Sequence, residues 1–315
     1  MPPVDRNNPK RAQSSDSQYS LMEFMREFPD DATCLEWLWR NRYSEDGSHA
    51  ECPSCDRVRK FHKVHDRPAW DCDSCGYHLH PTAGTIFHKS STSLHLWFYA
   101  MHLMTSTRCG ISAKQLEREL GVTYKTAWRM ANLIRNELMT DDGKPLSGAV
   151  EADEMYVGGR RRVGKGRHGG GRTNPATSHR QPVFGMVERE GRVAAYVAPD
   201  AKAKTVMGHI EQRVLPGSVV YTDEWQAYWN VSRRGYDHRR IYHAERVYVS
   251  GDVHTNTIEG FWALVKNGIR GVYHSVSKKH LQGYLNEYVW GYNNRAGTGT
   301  RPQFESLLLR AASRS

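Results

Sequence analysis

Residues 148–157 read GAVEADEMYV, and the pattern of this run decides how the rest of the chain is read. Val150, Met155 and Val157 suit a strand, yet Glu151, Asp153 and Glu154 stand inside the run. The two-residue period of a strand puts Glu151 and Asp153 on one face, Ala152 and Glu154 on the other. A buried strand rarely holds acids unless they are paired or bind metal, because an isolated buried charge is costly. The stretch therefore predicts the first strand of a sheet that carries a metal-binding carboxylate, Asp153.

Working outward, strand signals recur at 183–187, 193–198 and 219–221, with a helical stretch at 204–214 before the last of them. Three strands, a helix and a strand follow the order of a ribonuclease H-like domain, closed by helical stretches at 258–266 and 279–292. Asp223 follows the 219–221 strand directly, at the carboxyl end where α/β sheets place their ligands. Glu259 opens a helix thirty-six positions later. In such a sheet the first two positions are on adjacent strands, and the third acid arrives from a helix packed across them. Three carboxylates at one spot repel, so the arrangement calls for cations: two Mg ions (or Mn) about 4 Å apart would activate an attacking oxygen and stabilise the leaving one. Asp153, Asp223 and Glu259 are the expected ligands and catalytic groups. Asn256, one turn earlier on the face of Glu259, and nearby His254 are candidates to orient water or phosphate, although helix capping accounts for Asn256 equally well.

Ahead of this region, Cys52-Pro-Ser-Cys55 and Cys72-Asp-Ser-Cys75 are separated by sixteen residues. Four thiolates so spaced suit the closed tetrahedral site of a structural Zn ion, which would supply most of the folding energy of so small a module. His62, His65, His78 and His80 become surface or DNA-facing residues once four Cys are in place. Between the two parts, SAKQLERELGVTYKTAWRMANLIRNEL (112–138) shows an apolar face at Ala113, Leu116 and Leu120, a turn at Gly121, and a second face at Ala127, Met130 and Ile134. This is the pattern of a helix-turn-helix, N-capped by Ser112 and Thr123, whose second helix would offer Tyr124, Lys125 and Arg129 to DNA; a generic helical hairpin gives the same spacing.

Composition agrees with a polyanionic partner. The 315 residues carry 44 Lys and Arg against 34 Asp and Glu, a net charge of +10 and a pI near 9.3. Part of that charge lies in GGRRRVGKGRHGGGRTNPATSHR (158–180), too poor in apolar residues to pack, where Arg160, Arg161, Arg162, Lys165 and Arg167 are candidate phosphate contacts. No apolar run is long enough to span a bilayer and the first residues lack a secretory signal, which points to a cytoplasmic, nucleoid-associated protein with no membrane partner. The reading divides the chain into a disordered leader (1–19), N-terminal helices (20–48), a zinc ribbon (49–90), a helix-turn-helix region (91–142) and a catalytic domain (143–315).

Five segments carry a family resemblance: CPSC, CDSCGYHLHPTAGTIFHKSSTSLHLWFYAMHLM, VEADEMYVGGR, YTDEWQAY and HTNTIEGFWALVKNGIRGVYHSVSKKHLQGYLNEYVWGYNNR. In this order the chain resembles the DDE transposases of bacterial insertion sequences, in the ISXO-like group with an N-terminal zinc ribbon. The resemblance implies an α/β fold, a ribonuclease H-like catalytic domain (a mixed sheet flanked by helices) behind a zinc ribbon and a helix-turn-helix. It carries the acidic triad over to Asp153, Asp223 and Glu259 and the zinc ligands to Cys52, Cys55, Cys72 and Cys75. It also implies binding of the element's terminal inverted repeats and target DNA, cleavage and strand transfer, and a homo-oligomer on DNA. One rival reading is a zinc-ribbon DNA-binding regulator derived from an inactive transposase; another is a ribonuclease H-like nuclease or resolvase with no strand transfer.

Overall fold

A computed structural model describes residues 19–158, 180–241, 254–295 and 300–313. They fall into two compact units: the described residues up to Thr107 with Arg295 and the last helix, and Arg108–Asn294.

In the first unit, helix α1 (Leu21–Glu27) opens on a reciprocal cap. Ser20 Oγ accepts from Glu23 N at 3.2 Å, and Glu23 Oε2 accepts from Ser20 N at 2.7 Å. Helix α2 (Asp31–Arg42) starts at Asp30, which accepts from Thr33 N, so the break at Pro29 lies between two separately capped helices. Strands β1 (His49–Cys52), β2 (Arg57–Lys63), β3 (Trp70–Cys72) and β4 (His78–Leu79) form an antiparallel sheet in sequence order. That small sheet buries its inner face against α2: Trp39 stacks on Trp70 with ring centres 4.7 Å apart, over Phe61 and the buried sulfurs of Cys52 and Cys72. Helix α3 (Leu94–Ser106) is capped by Ser93, and Trp97, Phe98 and Met101 are fully buried.

Two features of this unit depart from the sequence expectation. Tyr19, assigned to the leader, is buried; its hydroxyl donates to Glu27 and its ring stacks on Phe304 at 5.4 Å. Helix α9 (Thr300–Ala312), assigned to the catalytic domain, belongs here because Phe304 fills a cluster of rings with Tyr19, Phe24, Phe28 and His102. No repeat or spacing in the sequence reveals such a long-range partner. Residues 1–18 of the leader lie outside the described residues.

The second unit begins with α4 (Ala113–Leu120) and α5 (Tyr124–Leu133), joined through Gly121 in the left-handed conformation. Ser112 accepts from Gln115 N and Thr123 from Thr126 N, so both expected caps form. A π-helical turn, Ile134–Leu138, extends α5. Five strands follow: β5 (Ala149–Val157), β6 (Gln181–Glu188), β7 (Val193–Val197), β8 (Val219–Thr222) and β9 (Asp237–Arg240), with helix α6 (Ala203–Arg213) between β7 and β8. The sheet order is β7-β6-β5-β8-β9; the first three strands are antiparallel, and β8 lies parallel to both β5 and β9. β9 was not expected. Its sequence, DHRR, has no apolar residue, and as an edge strand it needs none.

Alternation along β5 builds both cores. Val150 and Ala152 join α6 on one face through Val206, Met207 and Ile210. Met155 and Val157 face helices α7 (Asn256–Gly268) and α8 (Leu281–Asn293) through Phe261, Trp262, Leu285 and Val289. At about 1.5–3 kcal/mol per fully buried large side chain, these two clusters hold the sheet between helical layers. Among the described residues, no helix is long and apolar enough to cross a membrane.

Candidate active site

The parallel pairing of β5 with β8 sets Glu151 opposite Tyr221. Continuing that register by two residues brings Asp153 beside Asp223, just where β8 has ended at Thr222. From there β5 runs on with no strand on that flank among the described residues, and the two acids share the opening. Asp223 is held in place by Trp225, whose backbone N–H donates to Oδ1 at 3.0 Å.

A third acid joins them, and it is Glu154. One carboxylate oxygen from each of Asp153, Glu154 and Asp223 lies within 4.8 Å of the others, close enough to share one ion. Glu154 starts from the opposite face of β5, where the buried Tyr228 donates to its Oε2 at 2.8 Å. Sequence alternation had turned it away from Asp153; at the open flank of the strand its longer side chain reaches the same gap.

Electrostatics mark the gap as short of positive charge. Burial first, and then the charge of Asp223, pushes the Asp153 carboxyl up to about 6, against a backbone hydrogen bond and the Trp262 indole, which favour the charged form. Burial pushes Glu154 up to about 7, with Asp153 and Asp223 adding to the rise and the Tyr228 hydroxyl opposing it. The oxygen-only donor set and this mutual repulsion fit a hard divalent cation such as Mg.

Glu259 lies in the first turn of α7, exposed, outside the group of three; Thr255 Oγ1 donates to its Oε1 at 3.1 Å. Its charge still contributes to the rise at Asp153. Asn256 is the first residue of α7 and is exposed, while Thr255 occupies the capping position without a side-chain cap bond. The first amides of α7 are instead satisfied from another element: Glu151 Oε2 accepts from Thr257 N at 2.9 Å and Ile258 N at 3.0 Å. His254 sits with Nδ1 3.3 Å from Glu151 Oε1. The sequence places Glu151 on the face of Asp153 but carries no signal of these α7 partners.

In the first unit, the sulfurs of Cys52, Cys55, Cys72 and Cys75 also lie within 4.8 Å of one another, so this cluster could hold one metal ion. Each Cys-x-x-Cys pair sits at a tight turn: Asp56 N donates to Cys52 O and Gly76 N to Cys72 O, both at 2.9 Å, with Asp56 and Gly76 in the left-handed conformation. The backbone N–H of Tyr77 draws the Cys75 thiol down to about 6, while the hydrogen bond with Cys75 pushes the Cys55 thiol up to about 12, as expected of crowded thiols that share protons. Tyr124, Lys125 and Arg129 are exposed on α5, and Lys114 Nζ lies 4.9 Å over the Tyr124 ring. Arg160, Arg161, Arg162, Lys165 and Arg167 lie outside the described residues.

Residues 145–293 match the family model of the ISXO2-like transposase domain, a span that begins before β5 and ends with α8. Over these residues, nearly half of its length, the chain is similar to the ISXO2-like transposase family. A curated relative is the uncharacterized protein in transposable element ISH50 of Halobacterium salinarum, 29% identical over 252 residues, which cover 75% of this chain and 83% of the relative. Another is an uncharacterized transposase-like protein of Haemophilus influenzae, 29% identical over 103 residues, covering 33% of this chain and 82% of that protein. The matched span thus contains the whole five-stranded sheet together with Asp153, Glu154, Asp223 and Glu259.

Proposed function

We propose that this chain is an insertion-sequence transposase that binds the ends of its element, cuts the DNA there and joins the freed ends to target DNA. The observation that carries the proposal is the meeting of Asp153 and Asp223 at the open flank of β5, in a span similar to the transposase family, with Glu259 in the adjoining helix turn. The order β7-β6-β5-β8-β9, antiparallel and then parallel, supports a ribonuclease H-like domain.

Asp153, Asp223 and Glu259 would hold two Mg or Mn ions, with Glu154 lending a further oxygen. When bound, such ions activate the attacking oxygen and stabilise the leaving one in phosphodiester cleavage. The residues of the chain bind and orient. Asp153 and Asp223 fix the centre from the sheet, Glu259 approaches from α7, and Asn256 and His254 flank it where water or phosphate would arrive. Cys52, Cys55, Cys72 and Cys75 bind one structural Zn. Helices α4 and α5 form a helix-turn-helix presenting Tyr124, Lys125 and Arg129 to the terminal repeats, with Arg160, Arg161, Arg162, Lys165 and Arg167 as further phosphate contacts. Two ends must be held together, so the working form is a homo-oligomer on DNA, in the cytoplasm beside the nucleoid.

The test is strand transfer. Purified protein with Mn or Mg should join labelled element ends into a plasmid, and Asp153→Ala or Asp223→Ala should lower joining by ~10³-fold, the scale of a lost metal site. Undiminished joining by Asp153→Ala would defeat the assignment. DNA binding without any metal-dependent nicking would make the chain a regulator instead.

A further inference from the structure

Glu151 lies two residues before Asp153 on the same face of β5, and it is fully buried. A buried carboxylate needs partners for both oxygens, and this one has them. Oε1 accepts from Arg189 Nε at 2.8 Å and Thr257 Oγ1 at 3.1 Å; Oε2 accepts from the backbone N–H groups of Thr257 and Ile258 at 2.9 and 3.0 Å. Arg189 in turn donates through Nη2 to His254 O at 2.7 Å, and its guanidinium lies 3.9 Å over the ring of Tyr221, the register partner of Glu151 on β8.

The direction of these bonds is informative. The first amides of any helix lack intrahelical acceptors, and an anion there is favoured by the helix dipole. Helices usually supply that acceptor themselves, from a Ser, Thr, Asp or Asn at the capping position. In α7 the capping residue Thr255 turns its hydroxyl to Glu259, and the acceptor comes from β5. Three hydrogen bonds from the first turn of α7 end on Glu151. Glu259 is the next residue after Ile258. A carboxylate on the strand of Asp153 therefore grips the helix turn that carries Glu259.

We propose that Glu151 is a positioning residue: by clamping the first turn of α7 to β5, it sets where Glu259 stands relative to Asp153 and Asp223, and so governs affinity for the divalent cation. This rests on the reading of those acids as the cation site. Glu151 has no oxygen left for an ion and acts only through α7.

An ordinary buried ion pair would lower stability when broken and leave cation affinity of the folded protein alone. The clamp makes a different prediction. Mn binding to the full-length protein, followed by electron paramagnetic resonance well below the melting temperature, compares wild type with Glu151→Gln, which keeps shape and one acceptor oxygen. The expected result is a Kd for Mn raised about tenfold, with the Mn concentration for half-maximal DNA cleavage rising by the same factor and DNA binding in chelator unchanged. A Kd within twofold of wild type overturns the clamp, whatever happens to stability. If Glu151→Gln does not fold, Thr257→Val removes one of the three links and leaves the charge paired; a twofold or larger rise in Kd then supports the clamp, and no rise overturns it. Wild-type protein that binds no Mn would instead sink the reading of the acidic site itself.

Discussion

Gly185 stands opposite Asp153 on the neighbouring strand, with the indole of Trp262 lying directly over it: a Cβ built on Gly185 would come 2.5 Å from the ring. Helix α7 can approach the sheet at this point only because no side chain intervenes. Gly185→Ala must push Trp262 aside, and overpacking of this kind costs about 1–3 kcal/mol. The helix carrying Glu259 would shift with it. We expect a lowered melting temperature and a loss of metal-dependent cleavage larger than the loss of fold accounts for, measured at a temperature where the variant is fully folded. Cleavage equal to wild type would show that α7 tolerates the displacement.

A second buried contact ties the helical front of the same unit to its core. Arg135, in the π-helical turn after α5, donates to Glu287 of α8 at 2.7 Å, with both side chains all but excluded from solvent. Tyr273 adds its hydroxyl to Glu287 at 2.7 Å, and the Arg135 guanidinium lies 4.4 Å over the ring of Tyr284. Removing one partner of a buried pair strands the other charge, at about 3–5 kcal/mol. Arg135→Met should therefore destabilise the unit by that amount in urea titration, while Arg135→Met with Glu287→Leu should recover a substantial part of it. A double variant as unstable as the sum of the single ones would contradict the coupling.

The four cysteines allow a direct measurement. Zinc analysis of protein purified without chelator should give one Zn per chain, and Cys75→Ser should lower that content and unfold the small sheet of β1–β4. Folding energy in such modules is largely metal energy. Trp39 and Trp70, stacked beside the buried Cys52 and Cys72, report the event through their fluorescence. Unchanged fluorescence after complete Zn removal would mean that the α2–sheet core stands by itself.

Much of this was legible in the sequence, for identifiable reasons. Strong two-residue alternation in β5 and strong caps at Ser112 and Thr123 are local signals, and the structure follows them. Three things were not legible. β9 is too polar to announce itself, since an edge strand is held by backbone pairing alone. The partner of α9 depends on rings at Tyr19 and Phe24, nearly three hundred residues away in the chain. The roles of Glu151 and Glu154 were half visible: the rule that buried acids need partners singled out Asp153 but applied equally to Glu151. That Glu154 could reach the same gap depended on β8 stopping at Thr222, which spacing does not encode.

Proton binding at the acidic cluster links stability to cations. Asp153 is pushed up to about 6 from an ordinary 3.8, and Glu154 to about 7 from 4.5, burial being the main cause of each. A folded value above the unfolded one means that the folded state binds protons more tightly. The contribution is therefore complete below about pH 4 and disappears as pH rises through 6 and 7. Cation-free protein should lose melting temperature from this source between pH 5 and pH 8. Divalent cations replace those protons, so millimolar Mg should raise the melting temperature at pH 8 and hardly at all at pH 5. Equal Mg shifts at both pH values would place the ion elsewhere.

Salt dependence separates the DNA contacts from the acidic site. Each phosphate neutralised by a cationic side chain adds about 0.9 to the slope of log affinity against log salt. Lys125 and Arg129 are exposed on α5, beyond the Gly121 turn. Lys125→Ala and Arg129→Ala should each lower the slope for binding a terminal repeat by about 1 if they touch phosphate. If Arg129 reads a base edge instead, its substitution should weaken the terminal repeat by about 1–3 kcal/mol relative to random DNA and leave the slope unchanged. Fluorescence anisotropy over a range of salt, in chelator so that no cleavage intervenes, distinguishes the two. If both variants match wild type in slope and in preference for the repeat, α5 is not the recognition helix and the +10 net charge of the chain acts through other residues.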